Sequence, residues 1–85
     1  MVTAYFGHEP LVRLLLSDPD LEPNKTNDHG STAFLQACAG GKVSVVKLLL
    51  SDKRVNTNIV NRYGFTALII AASNNHSSVV KALML

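Results

Sequence analysis

The 85-residue chain is long enough for one small domain, and its hydrophobic fraction of 47% is ample for a buried core. Only 16% of its residues are charged, and a net charge of +2 with scattered basic residues gives no basis for binding nucleic acid or an anionic membrane. The single cysteine, Cys38, excludes a disulfide within the chain, and no apolar run approaches the roughly 18 residues of a membrane span. We therefore expect an intracellular protein, in the cytoplasm or, as an alternative, the nucleus.

The dominant pattern in the sequence is an internal repeat. The stretch Asn27–Leu50, NDHGSTAFLQACAGGKVSVVKLLL, recurs 34 residues later as Asn61–Met84, NRYGFTALIIAASNNHSSVVKALM. The apolar run Leu11–Leu16 precedes Val45–Leu50 by the same 34 residues. A period of this size is typical of stacked arrays, in which each unit buries its apolar faces against its neighbours.

The first repeat, residues 1–26, is partial, because its opening residues 1–6 align with the later part of a helix. Gly7 ends this helix, since glycine tolerates the left-handed backbone that is common at helix termini. Pro10 then begins a second helix, where its missing N–H does no harm. Leu11–Leu16 is the apolar face of that helix.

The second repeat, residues 27–60, begins with a turn in which Gly30 can supply a positive φ. Thr32 is placed to cap a helix from Ala33 to about Ala39, because its hydroxyl can accept from an unpaired backbone N–H. A second helix follows over Val43–Leu50. The apolar surface of this helix is wide, which predicts burial on most of its circumference.

The third repeat, residues 61–85, follows the same order and is truncated. Gly64 forms the turn, and Thr66 caps a helix from Ala67 to about Ser73. The last helix is predicted over Ser78–Leu85. The three repeats together form one domain that spans the whole chain.

The repeated sequence motifs resemble those of the ankyrin repeat family. They are Gly30–Cys38 (GSTAFLQAC), Gly64–Ala72 (GFTALIIAA), Gly7-His8, and the aliphatic run that closes each repeat. The positions Gly41 and Asn75 match Gly7 and predict left-handed helix ends. The resemblance implies an all-α solenoid of stacked helix-turn-helix units, joined by turns or short β-hairpin tips.

The chain departs from the family pattern at two positions of the second and third repeats. The family's proline is replaced by Ala33 and Ala67, and its histidine by Leu35 and Ile69. In the family that histidine bonds to backbone groups around the turns. Its absence predicts looser tips.

No group of residues in the sequence has the pattern of a catalytic, cofactor or metal site. Cys38 occupies an alanine position of a packing helix, which indicates a small buried hydrophobe. His8 and His76 hold the same repeat position two repeats apart, so neither has a metal-site partner. His29 lies at a turn and is either solvated or a partner contact. We therefore predict a protein that is not an enzyme and needs no cofactor.

The resemblance implies that a partner protein binds along the concave face formed by turn tips and first helices. Carried over by position, the candidate contact residues are Asp28, His29, Ser31, Arg62, Tyr63, Phe65, Ser73 and Asn74, with Ala39 and Gly40 on the earlier first helix. Arginine and tyrosine are enriched at interface hot spots. Phe65 either contacts a partner or folds onto the neighbouring tip.

These observations predict a non-catalytic protein–protein interaction module, a scaffold that binds a protein but neither nucleic acid nor membrane. The alternatives are a regulatory or structural segment that contacts other domains of its own, longer chain, and a segment whose tips bind nothing. No polar capping repeat is visible at either end. The chain is therefore expected to be a fragment of a longer array, or else to self-associate through its uncapped ends.

Overall fold

The structure is a computed structural model that describes residues 2–85. The helices of this range are α1 (Val2–Tyr5), α2 (Glu9–Leu16), α3 (Ala33–Gly40), α4 (Val43–Leu50), α5 (Ala67–Ser73) and α6 (Ser77–Leu83). No β-strand occurs among the described residues, and the tips between repeats are turns. The predicted all-α fold is confirmed.

The six helices form two layers. In one layer α1 packs against α3 and α3 against α5, while in the other α2 packs against α4 and α4 against α6. Each helix of the first layer also contacts the second helix of its own repeat. The arrangement is the stack of helix pairs that the internal repeat predicts.

The helix ends follow from local sequence chemistry. Gly7, Gly41 and Asn75 have φ values of 74°, 69° and 61°, so the left-handed position predicted for each repeat is confirmed. The hydroxyls of Thr32 and Thr66 cap α3 and α5, accepting from backbone N–H groups at 3.3 and 3.2 Å. These caps also match the prediction.

Helices α2 and α6 differ from their predicted boundaries. Helix α2 begins at Glu9, so Pro10 lies inside its first turn, where a missing donor is equally harmless. Helix α6 begins at Ser77 and ends at Leu83, short of the predicted Leu85. Such one- or two-residue differences are usual at fraying helix ends.

The core runs through both layers and is filled mainly by branched aliphatic side chains. Its largest fully buried apolar members are Phe34, Leu35, Val45, Val46 and Val79. Leu35 stands where the ankyrin pattern has histidine, so apolar packing takes the place of that side chain's hydrogen bonds. Helix α4 is less buried than predicted, because Leu50 remains 38% exposed on its outer side.

The long loops after α2 and α4 are joined by two polar side chains. Asn24 Nδ2 donates to the carbonyl of Arg54 at 2.8 Å, and Asn24 Oδ1 accepts from the N–H of Asn56 at 2.6 Å. The Arg54 guanidinium donates to the carbonyl of Asp18 and pairs with Asp52, each at 2.8 Å. Its hydrogen bond lowers the pKa of the Asp52 carboxyl. These bonds hold consecutive repeats in register.

Candidate protein-interaction surface

The two turns between repeats, residues 27–31 (first tip) and 61–65 (second tip), are built around an asparagine. Asn27 Oδ1 accepts from the backbone N–H of His29 at 2.9 Å and of Ser31 at 3.0 Å. The second tip repeats this arrangement around Asn61. The side chain thus satisfies the backbone of a tight turn, as Asn commonly does.

The two tips are bonded to each other. The N–H of Arg62 donates to the carbonyl of His29 at 2.9 Å. Gly30, with φ 71°, permits this approach, because a Cβ there would lie 2.9 Å from the Arg62 nitrogen. The tips therefore keep an ordered link, although they lack the histidine whose absence predicted looser tips.

The second tip carries an exposed cluster of one cation and two aromatic rings. Tyr63 and Phe65 are 61% and 45% exposed, and their ring centroids lie 6.2 Å apart. The Arg62 guanidinium carbon is 5.6 Å from the Tyr63 ring centroid, within the range of a cation–π interaction. Phe65 thus packs on its own tip and still presents nearly half its surface to solvent. Arg62 makes no ion pair with any residue from 2 to 85.

Of the three other predicted tip residues, two are exposed and one is buried. Asp28 and His29 are exposed at the first tip. Ser31 is buried, because its N–H is drawn under the tip to bond Asn27. Its side chain therefore offers little surface to a partner, contrary to the use predicted from its position.

The predicted contact residues on the first helices also differ in their exposure to solvent. Ser73 and Asn74 are exposed, and the Asn74 amide donates back to the Ile70 carbonyl at 3.0 Å. Ala39 and Gly40 are half-buried, and they lie in contacts between repeats. The Ala39 carbonyl lies 2.9 Å from His76 Nε2, which donates to it in the matching tautomer.

One exposed aromatic pair was missed by the sequence-based selection. Tyr5 and Phe6 lie at the repeat positions of Ala39 and Gly40, and their rings meet edge to face with centroids 5.0 Å apart. Both are exposed. The signal was available, because the 34-residue register places Tyr5 at the repeat position of Ser73 and Phe6 at that of Asn74.

The structure agrees with the prediction that Cys38 is a small buried hydrophobe. Its thiol is buried, and burial raises its pKa to about 12. Among residues 2–85 no cluster of His, Cys, Asp and Glu could hold a metal ion. In the same range, none of the helices has the length and apolar character needed to cross a membrane.

We expect the Cys38 thiol to resist a thiol reagent at pH 8 while the chain is folded. Both its burial and its raised pKa keep the reactive thiolate scarce. The release of thionitrobenzoate from Ellman's reagent, followed with and without denaturant, measures this. Rapid stoichiometric reaction of the native chain would contradict it.

The fold and the tips define a class, the helical solenoid built from capped helix pairs. The family model for ankyrin repeats, in three copies, matches residues 1–85, and the chain belongs to the ankyrin repeat family. Ankyrin repeats generally mediate protein–protein interaction and are generally non-catalytic. No curated protein sequence matches the chain significantly.

Solved structures also resemble the chain. One is a chain of the complex between the predatory endopeptidase Bd0816 from Bdellovibrio bacteriovorus and immunity protein Bd3460, with 32% sequence identity and a TM-score of 0.89. The alignment covers 98% of the present chain and 42% of the other, so the present chain spans about two fifths of that chain's length.

Proposed function

We propose that the chain is a non-catalytic protein-interaction module whose main contact is the second tip. The observation that supports this proposal is the exposed cluster of Arg62, Tyr63 and Phe65. The backbone under this cluster is held by hydrogen bonds that its N–H groups donate to the Asn61 side-chain oxygen and to the His29 carbonyl. A preordered frame loses little entropy on binding, and large rings beside an arginine are the side chains that supply most interface energy.

The similar complex supports a protein as the partner. There an immunity protein is in complex with a predatory endopeptidase. For the present chain we propose a folded protein partner, contacted by the second tip together with Asp28, His29, Ser73 and Asn74. The rival hypothesis, a regulatory or structural segment, would use the same surface against another domain of its own chain.

The test is affinity capture from a lysate of the source organism. The parent chain is expected to retain a protein that the triple variant Arg62→Ala/Tyr63→Ala/Phe65→Ala loses. A matched control is Leu11→Ala/Leu14→Ala/Lys53→Ala, which removes two exposed apolar side chains and one exposed cation outside both tips. This control should retain the protein.

Far-ultraviolet circular dichroism must first show that all three chains are folded. Equal capture by the parent and the tip variant would contradict the proposal. If the captured protein is a longer form of this chain, the contact with its own domains is favoured instead.

A further inference from the structure

The two tips carry opposite charges at the same repeat position. Asp28 of the first tip and Arg62 of the second are 34 residues apart, and both are exposed. The next position holds His29 in the first tip and Tyr63 in the second, and these side chains are exposed as well. Neighbouring tips thus present an anion beside an imidazole, and a cation beside a phenol ring.

The exposure of these two positions does not reflect where the repeats begin or end. The first tip has the second tip on its later side, and the second tip has the first on its earlier side. The two are held together by the bond of 2.9 Å from the Arg62 N–H to the His29 carbonyl. Each position is exposed in both settings, so a neighbour on either side leaves it accessible.

The two tip charges do not neutralise each other. No ion pair among residues 2–85 involves either tip. The Arg62 guanidinium carbon lies 5.6 Å from the centroid of the Tyr63 ring, on its own tip. The Asp28 carboxylate and the Arg62 guanidinium are therefore both available to oppositely charged groups of another molecule.

A charge pattern that reverses between neighbouring tips is its own complement. When two copies face each other across a two-fold axis between the tips, the first tip of one copy meets the second tip of the other. Asp28 of each copy then lies opposite Arg62 of the other copy, and His29 opposite Tyr63, where the two rings can stack. This is an isologous interface, in which residue i contacts j and j contacts i.

We propose that the chain forms a two-fold homodimer through its paired tips. Two turns from each copy bury less than the roughly 1,200 Å² of stable interfaces, so the dimer is weak and exchanges rapidly. It covers the second tip, which a partner protein of the proposed function must therefore reach by displacing the second copy. The inference does not rest on that function, because the dimer needs no other protein.

Sedimentation velocity of the chain alone, from about 10 μM to about 1 mM, measures the association. The sedimentation coefficient of the parent should rise with concentration toward that of a dimer. Arg62→Asp and Asp28→Arg each place like charges opposite each other across the axis. Either variant should associate at least about tenfold more weakly, because the symmetry makes one substitution alter two contacts.

Exchanging the charges distinguishes a direct contact from a disturbed tip. The double variant Asp28→Arg/Arg62→Asp restores opposite charges across the axis and should dimerise again. An equimolar mixture of the Asp28→Arg and Arg62→Asp chains should form a heterodimer, although each chain alone is monomeric. Formation of this heterodimer also shows that both single variants are folded.

The control variant is Lys53→Asp, which reverses an exposed cation outside both tips and should leave the association unchanged. A parent chain that stays monomeric at about 1 mM would overturn the proposal. So would a mixture of the single variants that stays monomeric, or a dimer that survives Arg62→Asp, since its contact then lies elsewhere. None of these outcomes bears on capture of a partner protein, so failure of the dimer remains distinct from failure of the proposed function.

Discussion

Replacing Leu49 by alanine is expected to lower the free energy of unfolding by about 2–5 kcal/mol. Leu49 is almost fully buried in the core, so the change leaves a cavity that neighbouring helices can close only in part. A small domain has a total stability of only about 5 kcal/mol or somewhat more. The variant should therefore be largely unfolded, or melt far below the parent.

Thermal melting followed by far-ultraviolet circular dichroism measures the effect. The matched control is Leu50→Ala, the same substitution one residue later on a side chain with more than a third of its surface exposed. It should cost about 1 kcal/mol or less, since less area is removed from the interior. A cooperative melt of Leu49→Ala within a few degrees of the parent would show that the buried Leu49 side chain does not stabilise the fold.

The second large effect is expected at Gly40, the last residue of α3. Helix propensity alone predicts that alanine stabilises a helix relative to glycine by up to about 1 kcal/mol. At Gly40, however, a Cβ would overlap the backbone carbonyl oxygen of Tyr5 in α1. Because backbone must move to admit the methyl group, we expect Gly40→Ala to destabilise the chain by about 1–3 kcal/mol.

Whether Gly40→Ala raises or lowers the free energy of unfolding distinguishes the effect of helix propensity from that of the overlap with the Tyr5 carbonyl. Urea denaturation measures this free energy. Ser73→Ala, at an exposed position of α5, is the control and should change stability by about 0.5 kcal/mol or less. A Gly40→Ala chain more stable than the parent would mean that α1 does not pack against α3 as closely as the structure has it.

The helices and their ends could be predicted because their causes are local. A threonine that caps its own helix, as Thr32 does, needs only a backbone N–H three residues away. A left-handed glycine or asparagine, as at Gly41 and Asn75, needs no distant partner. The 34-residue period then fixed which helices stack, because equivalent positions must meet in a repeating array.

Two of the missed features, the Arg54 bond and the role of Gly40, depend on contacts between repeats. Arg54 bonds a carbonyl 36 residues earlier, and neither residue's identity indicates the other. The role of Gly40 is to leave room for the Tyr5 carbonyl, and no side-chain pattern indicates that backbone contact. The burial of Ser31 follows from how the first tip folds over it. The second tip remains a prediction as a binding site, because exposure shows availability and does not identify a partner.

The layered packing has a kinetic consequence. The principal helix contacts join elements of the same repeat or of adjacent repeats, so none of them spans much more than one 34-residue period. The entropy cost of closing a loop grows only slowly with its length, and helical chains whose contacts stay within about one repeat fold quickly. We therefore expect a molecule of small stability that nonetheless refolds within milliseconds, so that brief openings of the stack are repaired before they can spread.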